Sequence, residues 1–258
     1  MISISNLVKE YKGKRVLDNV SFSISENKSI AVVGESGSGK STLASILLGL
    51  ESATDGHISY NGKSLDSMNK KEIHEYRKNL GFVFQDSQDS LNPRHTIRRI
   101  LSEPLINYTS LSKEEIENRV LETLKCVSLE DISPNRLPYT LSSGQQKRVS
   151  IARAIIAQAK LVIIDEGTSC LDPEIKKSII DLINKLREEK GISFLVISHD
   201  IQVASKLASQ ILILKEGKVV EFVDDFNSLD QIKTEYGMKL IDAVPKFCHK
   251  ILGGIYEK

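Results

Sequence analysis

The sequence Gly34-Glu-Ser-Gly-Ser-Gly-Lys-Ser41 is the feature that most constrains this chain. A short apolar run at 29–33 precedes it, as in a buried parallel strand, and a helical pattern ending near Gly49 follows it. The glycines of the loop let backbone N–H groups approach an anion closely, because no Cβ intervenes. The spacing G-x-x-x-x-G-K-S in this strand–loop–helix context predicts a site for the phosphates of a nucleoside triphosphate.

The end of the loop adds charge and a metal ligand. A helix that starts near Lys40 directs its positive dipole end at the same anion. The Lys40 ammonium is suited to the β- and γ-phosphates, and the Ser41 hydroxyl is suited to Mg²⁺. The expected nucleotide contacts in this region are Gly34, Glu35, Ser36, Gly37, Ser38, Gly39, Lys40, Ser41 and Thr42.

The composition limits the alternatives. The chain has 258 residues, enough for one large α/β domain or two small ones. Its 35 Lys and Arg residues against 34 Asp and Glu residues give a net charge of +1, which does not indicate a nucleic-acid partner. The cysteines form no C-x-x-C pair, which favours a reducing compartment over a zinc or disulfide framework. We expect neither a secretory signal nor a membrane span, since no apolar run approaches roughly 18 residues.

Two carboxylates, Asp165 and Glu166, follow the apolar run 161–164. The carboxyl end of a parallel strand faces the ligand crevice, so Asp165 can reach Mg²⁺ beside the phosphates. Glu166 points elsewhere, and its carboxylate is suited to accept a proton from the attacking water. The alternative is an ordinary acidic end of a strand, but the upstream phosphate loop favours the functional interpretation.

Two further polar residues follow apolar strands. His199 comes after 192–197, where a sheet would bring it near the γ-phosphate; a solvated loop histidine is the alternative. Gln85 comes after 81–84 and either orients water and contacts Mg²⁺ or simply begins a polar loop. The candidate catalytic residues are Glu166, His199 and Gln85, and the candidate metal ligands are Ser41, Gln85 and Asp165.

The segment Leu141-Ser142-Ser143-Gly144-Gln145 has the features of a helix N-terminus, followed by a helical pattern over 145–159. A helix terminus of this kind binds anions generically. Placed shortly before Asp165, the segment resembles the L-S-G-G-Q signature of ABC-type ATPases. The resemblance covers most of the chain through the ordered series Tyr11, phosphate loop, Gln85, L-S-x-G-Q, Asp165-Glu166, Ser169-x-Leu-Asp172 and His199.

A narrower resemblance concerns two other segments. Residues 84–93 are similar to a segment of the ATPases that serve oligopeptide, dipeptide and nickel-type importers, and 235–245 are similar to that group's C-terminal pattern. Departures from the family pattern occur at Ser87, Ser143, Gly167 and Cys170. Ser143 adds a Cβ where a phosphate would approach closely, which suggests an asymmetric pair of ATP sites.

The resemblance implies an α/β fold: a P-loop (RecA-like) core with a mostly parallel sheet, an N-terminal antiparallel β subdomain and an inserted α-helical subdomain. The expected division of the single ATPase domain 1–258 is 1–85 and 159–225 for the core with its β subdomain, 86–158 for the helical subdomain and 226–258 for a C-terminal extension. Within the helical part, 96–128 is predicted to be helical but broken by Pro104 and by a polar turn at 107–112.

The resemblance also implies that each Mg-ATP lies between two ATPase subunits. Tyr11 would stack on adenine, while the phosphate loop, Gln85 and Asp165 would hold the phosphates and Mg²⁺. The residues expected to contact the ATP of the partner subunit are Ser142, Ser143, Gly144 and Gln145. Binding of ATP would then join the subunits, and hydrolysis would separate them.

The partners implied are a second ATPase subunit, expected to be a related chain, two integral membrane permease subunits and an extracellular substrate-binding protein, with no nucleic acid. The chain would be a peripheral protein on the cytoplasmic face of the cell membrane and would drive uptake of peptides, nickel or metal chelates. An export-type ABC ATPase and a soluble one that acts on DNA or ribosomes are the alternatives, and the sequence leaves the cargo open.

Overall fold

The computed structural model describes residues 1–86, 90–165 and 172–243. In chain order the strands are β1 (Ile2–Tyr11), β2 (Lys14–Ile24), β3 (Ile30–Val33), β4 (Asp55–Tyr60), β5 (Lys63–Ser64), β6 (Leu80–Val83), β7 (Leu161–Asp165), β8 (Ser193–Ser198), β9 (Gln210–Lys215) and β10 (Lys218–Val223). The α-helices are α1 (Lys40–Leu47), α2 (Lys70–Lys78), α3 (Ile97–Tyr108), α4 (Lys113–Cys126), α5 (Ser143–Ile155), α6 (Pro173–Lys190), α7 (Ile201–Leu207) and α8 (Glu235–Asp242).

The larger sheet has the strand order β10-β9-β3-β8-β7-β6. Strands β9, β3, β8, β7 and β6 run parallel, and β10 pairs antiparallel with β9. Strands β3 and β8 are buried along their whole length, which accounts for their near-continuous apolar sequences. The parallel strands present their carboxyl ends at one edge, where the glycine-rich loop begins.

The smaller sheet is antiparallel, with the strand order β2-β1-β4-β5. Buried and exposed positions alternate over much of β1 and β2, as expected for strands with one face in the core. The buried face shares an apolar cluster with Leu43 and Leu47 of α1 and with Leu161 and Ile163 of β7. Together, the two sheets and the helices confirm the predicted α/β fold class.

The described elements between β6 and β7 are helical. Pro104 lies inside α3, so the prediction that this proline breaks the helix was wrong. Four apolar side chains of α3 are buried, and their packing outweighs the one backbone hydrogen bond that a proline removes. The predicted break after α3 is present, with Thr109 as its C-terminal cap and Ser112 as the N-terminal cap of α4.

The segment after β10 folds back onto the parallel sheet. Phe226, Ile232 and Leu240 are buried in one cluster with apolar residues of β3 and β9. Gly237 lies in close contact there, because a Cβ at this position would be 2.3 Å from Cγ2 of Ile232. Helix α8 therefore contacts β9 at Ile213 and shares an apolar cluster with β3, the strand that leads into the glycine-rich loop.

Candidate nucleotide-binding site

The glycine-rich loop connects β3 to α1 at the carboxyl edge of the parallel sheet. Close packing dictates two of its glycines. A Cβ on Gly34 would lie 2.1 Å from the carbonyl oxygen of Leu214, and a Cβ on Gly39 would lie 2.6 Å from that of Val16. Gly39 also has a φ of 104°, in the region that favours glycine. The backbone of Leu214 and Val16 thus packs against the outer side of the loop and fixes its shape. The inner, concave side of the loop remains for a ligand.

Lys40, the first residue of α1, holds its ammonium inside the loop. Its Nζ donates hydrogen bonds to the carbonyl oxygens of Gly34 at 2.8 Å and Glu35 at 2.7 Å, and to Oγ of Ser38 at 3.3 Å. The side chain is buried although it is charged. Gly39 precedes the helix and supplies no side-chain cap, so the N-terminal N–H groups of α1 are directed at the same space. This arrangement attracts a polyanion.

Tyr11 ends β1 and is partly exposed beside the start of α1. Its hydroxyl donates a hydrogen bond to the Glu51 carboxylate, and the Lys9 ammonium lies 4.8 Å from the centroid of its ring. The hydrogen bond to Glu51 raises the pKa of Tyr11, and a side-chain hydrogen bond with Thr42 acts in the opposite direction. The ring is therefore positioned next to the helix that carries the loop, with its orientation set by polar neighbours.

The register of the parallel strands brings the other candidate residues to the same edge. Val33, which precedes the loop, pairs with Ser198, which precedes His199. Asp165 pairs with Ile197, and Gln85 lies just beyond the end of β6, which pairs with β7. The ends of four neighbouring strands therefore place these candidate residues along one edge of the sheet, and their roles stay predictions. Glu166 and Ser169 lie outside the described residues, so the prediction for Glu166 stays a prediction.

Helix α5 begins at Ser143, two residues earlier than the pattern 145–159 predicts, and it ends at Ile155. The earlier start follows from the cap: Oγ of Ser142 accepts a hydrogen bond from the N–H of Gln145 at 3.3 Å, and Oε1 of Gln145 accepts one from the N–H of Ser142 at 3.0 Å. Ser142 and Ser143 are exposed, while Gly144 is buried against Ile175 of α6. The N-terminus of α5 is thus held by contacts within this chain, and its exposed serines are accessible to a second molecule.

Two residues near the site were missed by sequence reasoning. Nζ of Lys147 in α5 donates hydrogen bonds to the carbonyl oxygens of Phe84 and Gln85. The hydroxyl oxygen of Tyr236 in α8 accepts a hydrogen bond from the N–H of Glu35. A lysine within a largely buried helix is a weak sequence signal, whereas the contact between Tyr236 and Glu35 has no local signal.

Comparison with known families agrees with this geometry. Residues 17–169 match the family model described as ABC transporter. The nickel import ATP-binding protein NikE of Brucella suis is 36% identical over 253 residues, with 95% of each chain covered. This chain belongs to the ABC transporter family as an ATP-binding, ATP-hydrolysing subunit.

Other similar proteins include NikE of Escherichia coli K12, 39% identical over 212 residues, which span 82% of this chain and 79% of that protein. A dimeric structure of the ATP-binding cassette MJ0796 bound to ADP and Pi has a TM-score of 0.78 at 34% identity, covering 88% of this chain and 100% of that one. CbiO1 from Clostridium perfringens, part of the transporter complex cbiONQ, has a TM-score of 0.81 at 28% identity, covering 97% and 98% of the two chains. Across the described residues, no helix combines the length and hydropathy needed to cross a membrane.

Proposed function

We propose that this chain is the ATP-hydrolysing subunit of a membrane importer and that its ATP sites form between two ATPase subunits. The observation that carries the proposal is the exposed, capped N-terminus of α5, which adds a second anion-binding feature to a chain that already has a phosphate loop. Ser142, Ser143, Gly144 and Gln145 would contact the γ-phosphate bound to the partner. The dimeric form of the similar cassette MJ0796 supports this arrangement.

Within one subunit, residues 34–42 hold the triphosphate and Tyr11 stacks on adenine. Ser41, Gln85 and Asp165 supply a hydroxyl, an amide oxygen and a carboxylate, the hard oxygen donors that suit Mg²⁺. Among the described residues no group of three or more His, Cys, Asp or Glu could hold a metal by itself. The ion would therefore share its coordination between these side chains and the phosphates, where it neutralises charge.

The chemical roles follow from position. Glu166, directly after Asp165, takes the proton of the attacking water, and His199 contacts the γ-phosphate from the neighbouring strand end. Gln85, in the segment that follows β6, contacts Mg²⁺ and orients the attacking water. Hydrolysis cleaves the bond between the β- and γ-phosphates, and release of the free phosphate removes the charge that bridges the two subunits. They then separate, and the change in their contact drives transport.

A surface groove supports contact with membrane subunits. It has a volume of about 430 Å³ and includes Leu50, Phe82, Phe84, Pro104 and Tyr108 among its lining residues. Leu50 is 69% exposed and Phe84 is 45% exposed, so the groove presents apolar side chains that a partner can cover. We propose that a short helix of one permease subunit docks at this groove, where Phe84 leads to Gln85 and the segment 86–100, and holds the chain at the cytoplasmic face of the membrane.

The importer assignment rests on the NikE relatives and on the resemblance of 84–93 and 235–245 to peptide and nickel importer ATPases. Nickel, metal chelates and peptides are the proposed cargo classes, delivered by an extracellular substrate-binding protein. Ser143 favours a related ATPase subunit as the partner over a second copy. We retain the proposed division into core, helical subdomain 86–158 and C-terminal extension 226–258.

The test uses membrane vesicles that contain candidate permease subunits for this ATPase. Leu50→Glu should abolish sedimentation of the ATPase with the vesicles, because a carboxylate would have to be buried in the groove. Leu121→Glu is the matched control, since Leu121 is 48% exposed on α4 and does not line this groove. Equal sedimentation of both variants would contradict the docking site. Vesicles that take up none of the proposed cargo classes in the presence of ATP would contradict the importer assignment.

A further inference from the structure

Lys147 connects the exposed end of α5 to the segment that carries Gln85. Its Nζ donates hydrogen bonds to the carbonyl oxygen of Phe84 at 2.8 Å and to that of Gln85 at 3.2 Å. Lys147 lies three positions after Gly144, so the two residues are neighbours on one helix face. One face of α5 therefore carries both Gly144, which is expected to contact the partner's nucleotide, and Lys147, whose ammonium donates hydrogen bonds to the Gln85 segment.

Helix α5 also packs closely against β6 at a second point. Near the other end of α5, the carbonyl oxygen of Ala154 approaches β6 so closely that a Cβ on Gly81 would lie 2.4 Å from it. Helix α5 is thus seated against the start of β6 at Ala154 and against the residues after β6 at Lys147. A shift at the N-terminus of α5 must either carry the Gln85 backbone with it or break the two lysine hydrogen bonds.

The burial and charge environment of Lys147 indicate that its contact with the Gln85 segment has a structural role. The residue is 3% exposed, and burial lowers the pKa of its ammonium to about 8, while the negative charges of Asp86 and Asp165 raise it. A buried cation is costly unless fixed acceptors and nearby negative charge compensate it. Here the acceptors are the backbone of the Gln85 segment, and the charge includes a candidate magnesium ligand.

We infer that Lys147 is a positioning residue that couples the position of the signature end of α5 to the placement of Gln85 in the same chain. The inference rests on the proposed role of Gln85 with Mg²⁺ and water. When the partner's nucleotide binds Ser142 and Gly144, Lys147 transmits the change in position of α5 to the backbone of Gln85. Conversely, a change in the position of Gln85 alters how Ser142 and Gly144 bind that nucleotide.

The test compares two substitutions of neighbouring basic residues in the full-length protein. Lys147→Met keeps the length of the side chain but removes its donors. Arg148→Met is the matched control, because Nη1 of Arg148 donates to the carbonyl oxygen of Val127 at 2.7 Å, away from the Gln85 segment. The measurements are metal-free affinity for a fluorescent ATP analogue, kcat and KM for Mg-ATP, half-saturation by Mg²⁺ and thermal unfolding.

Lys147→Met should keep the metal-free nucleotide affinity within about twofold and lower kcat by about tenfold to a hundredfold, since a small misplacement of a reacting group has effects of this size. It should also raise the Mg²⁺ concentration for half-saturation. Lys147→Arg should restore most of kcat, and Arg148→Met should lower stability while kcat stays within about twofold. A Lys147→Met protein that loses only thermal stability overturns the inference, as does an equal loss of kcat in Arg148→Met. If Lys147→Met does not fold, Lys147→Leu, which also lacks a donor, is judged by the same outcomes.

A second pair of variants separates this inference from the proposed role of Gln85. A Gln85→Ala protein with normal kcat and Mg²⁺ dependence would show that the role of Gln85 is wrong. An impaired Gln85→Ala protein beside a normal Lys147→Met protein would show that the inference about Lys147 is wrong. If Lys147 acts through Gln85, adding Lys147→Met to Gln85→Ala should lower kcat by less than about twofold, whereas multiplied losses would contradict it.

Discussion

The hydroxyl oxygen of Tyr236 accepts a hydrogen bond from the backbone N–H of Glu35 at 3.2 Å. These residues belong to α8 and to the phosphate loop, 201 positions apart in the chain. The Lys215 ammonium lies 4.8 Å from the centroid of the Tyr236 ring and holds the ring from the side of β9. The segment after β10 is therefore part of the support of the nucleotide site.

Tyr236→Phe should weaken ATP binding by about twofold to tenfold, since the loss of one hydrogen bond of average strength has this effect. The phenylalanine ring keeps the contact with Lys215, so only the support of the Glu35 N–H is lost. Titration with a fluorescent ATP analogue measures the change. Tyr139→Phe, at an exposed tyrosine, is the control. Equal affinities in the two variants would show that the contact has no influence on the loop.

Lys40→Ala should reduce ATP affinity by about a hundredfold or more, because charge-assisted bonds to two phosphates are lost in a largely buried site. Isothermal titration calorimetry with Mg-ATP gives the affinity. Lys63→Ala removes an exposed lysine that pairs with Glu72 at 2.7 Å and should bind ATP normally. Unchanged binding by Lys40→Ala would contradict the assignment of the phosphate loop.

Gly34→Ala should lower the free energy of unfolding by roughly 3 kcal/mol, because the new Cβ collides with the backbone of β9 at Leu214. Gly13→Ala is a useful comparison. Gly13 has a φ of 81° with nothing near the position of a Cβ, so its cost should be only the roughly 1–2 kcal/mol of a left-handed residue. Urea denaturation of both variants checks the difference, and equal losses would mean that the loop moves away from β9 at little cost.

Ser143→Gly should raise ATP turnover of the assembled dimer severalfold, since it removes the Cβ that, in the proposed composite site, would face the partner's γ-phosphate. The same change should lower stability by about 0.5–1 kcal/mol, the usual effect of glycine in a helix. Lys113→Gly, at the first position of α4, matches that helix effect at a different helix. Steady-state ATP turnover, normalised to the amount of folded protein, separates the effect on turnover from the effect on stability. A turnover of Ser143→Gly at or below that of the unsubstituted protein would contradict the steric argument.

The nucleotide site was predictable because its signals are contiguous. The loop at 34–41 sits between a four-residue buried strand and a helix, and short apolar runs mark β7 and β8. Because parallel strands align their carboxyl ends, residues that follow paired strands, such as Asp165 and His199, are expected at one edge of the sheet. The strand–helix alternation therefore indicated the fold class, and it predicts the edge of the sheet at which the site lies.

Other features depend on contacts that no local pattern contains. Pro104 is tolerated in α3 because the apolar face of that helix is buried, and burial is a property of the whole fold. The early start of α5, by contrast, has a local signal in the capping-box spacing of Ser142 and Gln145, which the predicted range 145–159 did not use. Lys147 and Tyr236 contact residues far away in sequence, and only the three-dimensional arrangement brings them to the site.

The central claim is that two ATPase subunits enclose each ATP. Glu166→Gln should bind ATP but not hydrolyse it, because the amide cannot accept the proton of the attacking water. This variant should accumulate a dimer in ATP, with the related partner subunit included where one is needed, and it provides a stable state for a distance measurement. Failure to dimerise in ATP by size-exclusion chromatography would count against a composite site.

The most direct measurement is ATP-dependent cross-linking between the two anion-binding features. In the Glu166→Gln background, this chain carries Ser143→Cys at the start of α5. Its partner, a related subunit or a second copy, carries a cysteine in its phosphate loop at the position that corresponds to Ser36. The native cysteines to be replaced first are Cys126, Cys170 and Cys248. We predict that a short bifunctional thiol reagent joins the two chains in ATP and leaves them separate without nucleotide. ATP binding without any inter-chain product, or a product confined to one chain when both cysteines are placed on it, would contradict the account.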